Sequence, residues 1–145
     1  MRINLQKTTP LAYAPLLAME SYARTHNDKR TNHLVKILSS QINGCSYCIA
    51  MHTRDARKAG ESDERIDALA GDWRAGDLWS PAEHAALALT DELTRLGEGG
   101  VSDPVWDEVV AQWGTKGAAN LVMAVATINM WNRVAIATGM SEADL

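Results

Sequence analysis

Both cysteines of the chain and one of its four histidines fall in one short run, Asn43-Gly44-Cys45-Ser46-Tyr47-Cys48-Ile49-Ala50-Met51-His52. If the run is helical from Cys45 onward, Cys45, Cys48 and His52 stand at i, i+3 and i+7 and share one face. A thiol in the first turn of a helix lies beside unsatisfied backbone N–H groups and the positive end of the dipole, and both favour thiolate over thiol. Cys48 is the better nucleophile of the pair, because His52 follows one turn later at i+4, within reach of its proton. Attack of a Cys48 thiolate on a peroxide O–O bond gives a sulfenic acid, which Cys45 can condense with to form a disulfide. A reductant must then reopen that bond.

A rival reading is zinc, since His33, Cys45, Cys48 and His52 make up a two-cysteine, two-histidine set that a tetrahedral ion accepts. Structural sites usually take their second pair from a separate short-spaced motif, whereas the fourth ligand here would be a lone upstream histidine. The blandest reading, two buried unreactive cysteines, gives no reason for them to align with a histidine. His26 falls in a polar turn and His84 in the first turn of a helix, so both are expected at the surface. The five tryptophans, in a chain with no phenylalanine, are expected as core or interface anchors. Met19, Met51, Met123 and Met130 are expected as packing.

The elements that must position the dithiol read as helices throughout, with no convincing period-two alternation. One helix is predicted from Pro15 to about His26. A second, capped by Asp28, carries His33 and an apolar face of Leu34, Val35, Ile37, Leu38 and Ile42 up to the Asn43-Gly44 break. The third presents the dithiol, from about Cys45 to Gly60, where Arg57 and Lys58 suit the negative dipole end. Ser62 restarts a short helix that ends near Gly71. Ser80-Pro81-Ala82-Glu83 is a capping box for a helix to about Leu96, Ser102-Asp103-Pro104 opens one that ends at Gly114, and the last runs from about Lys116 to Thr138. That last segment is apolar over more than one face and must be central or shared with another subunit, so the expectation is an all-α, oligomeric fold of about seven helices.

The chain has 145 residues, 46% of them hydrophobic, and a formal net charge of -4. That length suits one domain over residues 1–145, and the charge leaves no basic footprint for nucleic acid. No apolar run reads as long enough to cross a bilayer, and Met1-Arg2-Ile3-Asn4-Leu5-Gln6-Lys7 lacks the apolar stretch of a signal peptide, so a cytoplasmic protein is expected. In that compartment a C-x-x-C pair points to redox or metal chemistry rather than a structural disulfide.

The motif Ser40-Gln41-Ile42-Asn43-Gly44-Cys45-Ser46-Tyr47-Cys48, followed by Met51-His52-Thr53-Arg54-Asp55-Ala56-Arg57-Lys58-Ala59-Gly60-Glu61, resembles the core of the AhpD-like alkylhydroperoxidases of the carboxymuconolactone decarboxylase superfamily. The resemblance extends through Leu87-Ala88-Leu89-Thr90-Asp91 and Asn129-Met130-Trp131-Asn132-Arg133. It implies an all-helical domain assembling into homo-trimers or hexamers, with Cys48 as peroxidatic cysteine, Cys45 as resolving cysteine and His52 as the family histidine. It implies a hydroperoxide substrate and a thiol or lipoyl-type electron donor, with no metal or organic cofactor. Where characterised members carry a glutamate twelve residues before the first motif cysteine, this chain has His33. A neutral histidine can relay a proton but supplies no negative charge, which makes His33 a second relay group in this reading. Two other functions stay open: a non-catalytic redox-responsive or thiol–disulfide exchange module, and a zinc-stabilised helical protein.

Overall fold

Seven α-helices and a closing 3-10 turn build the fold, and no strand occurs. The computed structural model describes every residue from Met1 to Leu145. α1 (Leu5–Thr8) is one turn, capped by the Asn4 side chain accepting from the Lys7 amide at 3.0 Å. α2 (Pro10–His26) begins five residues earlier than the sequence suggests and carries Pro15 inside it. Pro10 at the first position forfeits only an N–H that has no helical partner. The carbonyl that Pro15 leaves unpaired belongs to Leu11, which is 90% exposed and free to bond to water.

α3 (Lys29–Asn43) starts where Asp28 accepts from the Thr31 amide at 2.9 Å and stops at Gly44. α4 (Ser46–Lys58) and α5 (Asp63–Ala70) follow, the latter capped by Ser62. α6 (Pro81–Arg95) has the full reciprocal capping box of Ser80 and Glu83. α7 (Asp103–Thr138) passes through Gly114, whose backbone at φ 67°, ψ 168° breaks the helical path. The sequence therefore places the break correctly, but the two segments form one kinked rod. The helix count agrees with expectation for a different partition, since α1 was unforeseen and two expected helices are joined.

α7 packs against α6, α3 and α2. Its Leu121, Ala124, Val125 and Ile128 meet Val35 of α3, Leu89 of α6 and Ala23 of α2 in one buried cluster. A second cluster joins Leu34, Ile37 and Leu38 of α3 to Ala56 of α4, Ile66 and Leu69 of α5, Trp73, and Leu87 of α6. α3 thus lies between two cores, each buried Leu or Ile contributing about 1.5–3 kcal/mol. Contrary to the sequence-based expectation, α7 is long and apolar enough by length and composition to cross a bilayer. Its apolar stretch is 44% buried inside the fold.

Not all the tryptophans are core anchors: Trp73 is buried, but Trp106 is 39% exposed. Trp79 and Trp113 are half-buried and donate their indole N–H groups to the carbonyls of Trp73 and Ala82. In α2, Ala23 alone is fully buried, and Leu11 and Leu17 face outward.

Candidate functional site

The site begins at Gly44, which takes φ 68° in the left-handed region and turns the chain out of α3. A side chain there would cost about 1–2 kcal/mol. The Cys45 amide donates to the Ser40 carbonyl at 3.0 Å and fixes the turn. Cys45 then lies just outside α4 as its N-cap, in extended conformation, and Cys48 is the third helical residue. The sequence reading starts the helix near Cys45; the one-residue offset has a chemical consequence. The Cys45 sulfur accepts the Cys48 amide hydrogen at 3.3 Å, the part a serine or aspartate oxygen plays at an ordinary N-cap.

The two sulfurs are joined in a disulfide, with Cα atoms 5.3 Å apart. Both cysteines are buried and pack with Ala135, Tyr47 and Met140. A cavity of about 830 Å³ reaches this site, and Cys48, His52, His33, Lys36, Glu20 and Trp131 are among its lining residues. Cys45 is not part of the wall. The sequence-predicted residues therefore divide: Cys48, His52 and His33 share the cavity, and Cys45 stands behind Cys48, bonded to it.

His52 is 8% exposed, and its pKa is pushed down to about 3. Burial is the main cause, the Lys36 ammonium and His33 add to it, and Asp55 opposes it. The imidazole is therefore uncharged at neutral pH. His33 is also held below the usual histidine range, first by burial and then by Lys36 and Lys29, against Asp55 and Glu61. Its buried Nδ1 has no hydrogen-bond partner within the chain. With the two sulfurs joined, no three His, Cys, Asp or Glu side chains gather in a way that could hold a metal ion.

Lys36 was not anticipated. It is 6% exposed, and its ammonium is paired with the Glu20 carboxylate of α2. Its i+3 spacing from His33 on α3 is a signal that could have placed the two together, whereas nothing in the sequence links Glu20 to either. The Asn129–Arg133 segment also gains a meaning. Asn43 Nδ2 donates to the Oδ1 atoms of Asn129 and Asn132, each at 2.9 Å, and Asn132 Nδ2 donates to Ser40 Oγ at 3.0 Å. Ser40 Oγ in turn donates to the Lys36 carbonyl at 2.7 Å. This buried chain of bonds fixes the end of α3, and with it the Gly44 turn, to α7. Trp131, beside Asn132, contributes its ring to the cavity.

The geometry matches that of known proteins. The model of the carboxymuconolactone decarboxylase family matches residues 10–92. The chain is 37% identical over 139 residues to the uncharacterized protein YdfG of Bacillus subtilis (strain 168), covering 95% of this chain and 94% of that one. A crystal structure of ATU0492 from Agrobacterium tumefaciens superposes with a TM-score of 0.91 at 30% identity, covering 97% of this chain and 96% of the other. Its function is unknown, and an antioxidant-defence role of the AhpD type has been suggested for it. The C82A form of the debrominase Bmp8, solved with 2,3,4-tribromopyrrole, shares the fold at a TM-score of 0.76 and 18% identity, covering 92% of this chain and 72% of the other. With its family model matched over more than half its length and a near full-length relative alongside, the chain belongs to the carboxymuconolactone decarboxylase family, as one of its AhpD-like members.

Proposed function

We propose that the chain is a thiol-dependent peroxidase in which Cys48 attacks, Cys45 resolves and His52 manages the proton. The observation that carries this reading is the asymmetry of the pair: Cys48 lines the cavity beside His52, and Cys45, outside the wall, is already bonded to it. The Cys48 thiolate attacks the distal oxygen of a hydroperoxide, the O–O bond breaks, and the alkoxide leaves as an alcohol once protonated. The Cys45 thiol then displaces hydroxide from the Cys48 sulfenic acid, releasing water and closing the disulfide. His52, uncharged at neutral pH, is free to accept a hydrogen bond or proton from Cys48. The charge of a Cys48 thiolate would raise its affinity for that proton.

Two electrons must return by thiol–disulfide exchange, and a thiol or lipoyl-type donor is the class we propose. A cavity of this volume is ample for a drug-sized molecule, so it accepts hydroperoxides larger than hydrogen peroxide itself. A homo-oligomer, trimer or hexamer, and a cytoplasmic location belong to the same reading. Exposed Leu11 and Leu17 on α2 are consistent with a further contact there.

The test is intact mass of the reduced, metal-free protein before and after one equivalent of an organic hydroperoxide. Loss of two hydrogens is expected in the parent, and a trappable sulfenic acid on Cys48 in Cys45→Ser. An unchanged mass would overturn the peroxidase reading. Retained reactivity towards small disulfides in that case would favour thiol–disulfide exchange instead.

A further inference from the structure

Thiolate chemistry at Cys48 needs positive charge nearby, and the obvious source is missing. His52 holds no charge at neutral pH. The N-terminal amide nearest the pair, that of Cys48, is aimed at the sulfur of Cys45 rather than at Cys48's own. The cavity does hold one buried cation. The Lys36 side chain is 7% exposed, lines the same wall as Cys48 and His52, and has one ionic partner, Glu20.

Burying an ammonium is expensive even when it is paired, so a lysine at this place calls for a reason. We propose that Lys36 is a positioning residue for the reaction at Cys48: its ammonium, held in place by Glu20, stabilises the Cys48 thiolate across the cavity. The proposal rests on Cys48 being the reacting sulfur.

The effect of Lys36 on its neighbours agrees with this role. Lys36 depresses the proton affinity of both His52 and His33, so its ammonium acts on the residues beside Cys48, and its partner Glu20 lines the same cavity. The other charged and titratable groups of the wall are the Met1 α-ammonium paired with Asp144, Tyr13, Glu20 and Arg24 on α2, Lys29 and His33 on α3, and Tyr47, His52 and Asp55 on α4. Of the wall's three lysines and arginines, Arg24, Lys29 and Lys36, only Lys36 is buried, so it is screened least by solvent. The backbone beneath it is also fixed, since its carbonyl accepts from Ser40 Oγ in the network that reaches Asn132.

The experiment uses Cys45→Ser protein, reduced, so that Cys48 is the one thiol, and follows its alkylation by iodoacetamide from pH 5 to 10. Combining it with Lys36→Met should raise the alkylation midpoint by about one pH unit or more. Lys36→Arg should restore the midpoint most of the way. Adding Glu20→Gln to Lys36→Met leaves the chain's net charge as in the parent and should keep the midpoint high, which separates local placement from overall charge. Circular dichroism identifies the variants that remain folded. A midpoint that stays within about 0.2 of the parent in folded Lys36→Met and in the double variant would overturn the proposal. Thiolate formation is read without peroxide, so a shifted midpoint in protein inert to hydroperoxide would sustain Lys36 while rejecting the peroxidase reading.

Discussion

The sulfur of Cys45 accepts the amide hydrogen of Cys48 at 3.3 Å while it is covalently joined to the sulfur of Cys48. The two ends of the disulfide are therefore unequal. When a thiolate attacks from the cavity at Cys48, the departing Cys45 thiolate is received by an N–H group and the start of a helix dipole.

This asymmetry predicts where a reductant bonds. Cys45→Ser should form a mixed disulfide with glutathione disulfide about tenfold faster than Cys48→Ser, because only the Cys48 sulfur faces the cavity. Intact mass against time measures both rates. Equal rates would place the attack on either sulfur indifferently.

Burial of His52 predicts a pH dependence of stability. Its folded pKa of about 3 lies well below the ordinary 6.5, so as pH falls below about 6.5 the unfolded chain takes up a proton that the folded chain refuses. Stability should be unaffected above that range and fall on acidification towards pH 3, by at most about 1.4 kcal/mol per pH unit for this one group. His33, depressed in the same direction, adds to the fall. Urea midpoints from pH 7 to 4 should decline less steeply in His52→Gln than in the parent.

His33 should matter to the reaction rather than to the fold. It is half-buried, lines the cavity and has an unpartnered Nδ1. His33→Gln should slow Cys48 oxidation several-fold and change its pH profile, with little effect on the urea midpoint. An unaltered rate and profile would exclude a relay role.

Asn132 should be costly to lose. Fully buried, it accepts from Asn43 and donates to Ser40. Asn132→Ala removes one hydrogen bond each from Asn43 and Ser40, which keep their bonds to Asn129 and the Lys36 carbonyl, and opens a void in the core; a loss of about 2–3 kcal/mol is expected in urea unfolding.

How legible these features were depends on whether one element or several make them. The Ser80-Glu83 capping box, the Asp28 cap and the Gly44 stop are local, and each lies where the sequence suggests. The start of α2 lies earlier than the sequence suggests because Pro15 reads as a first-turn proline, while an exposed Leu11 carbonyl makes an interior one tolerable. In the site, Cys48 and His52 share α4 and could be paired by spacing. Lys36 with Glu20, and Asn132 with Ser40, meet only because α2, α3 and α7 pack together, and no spacing rule reaches across helices.

The disulfide spans only three positions in sequence. By chain-entropy reasoning a ring of about four residues restrains the unfolded chain by about 2 kcal/mol, against about 4.7 for a ring of about 100. The bond is thus a poor staple. The helices that surround it are held by the α3–α7 cores, so the pair can open and close while most of the protein's stability stays in contacts that do not change. A cysteine pair set so close together does not also have to hold the chain in shape.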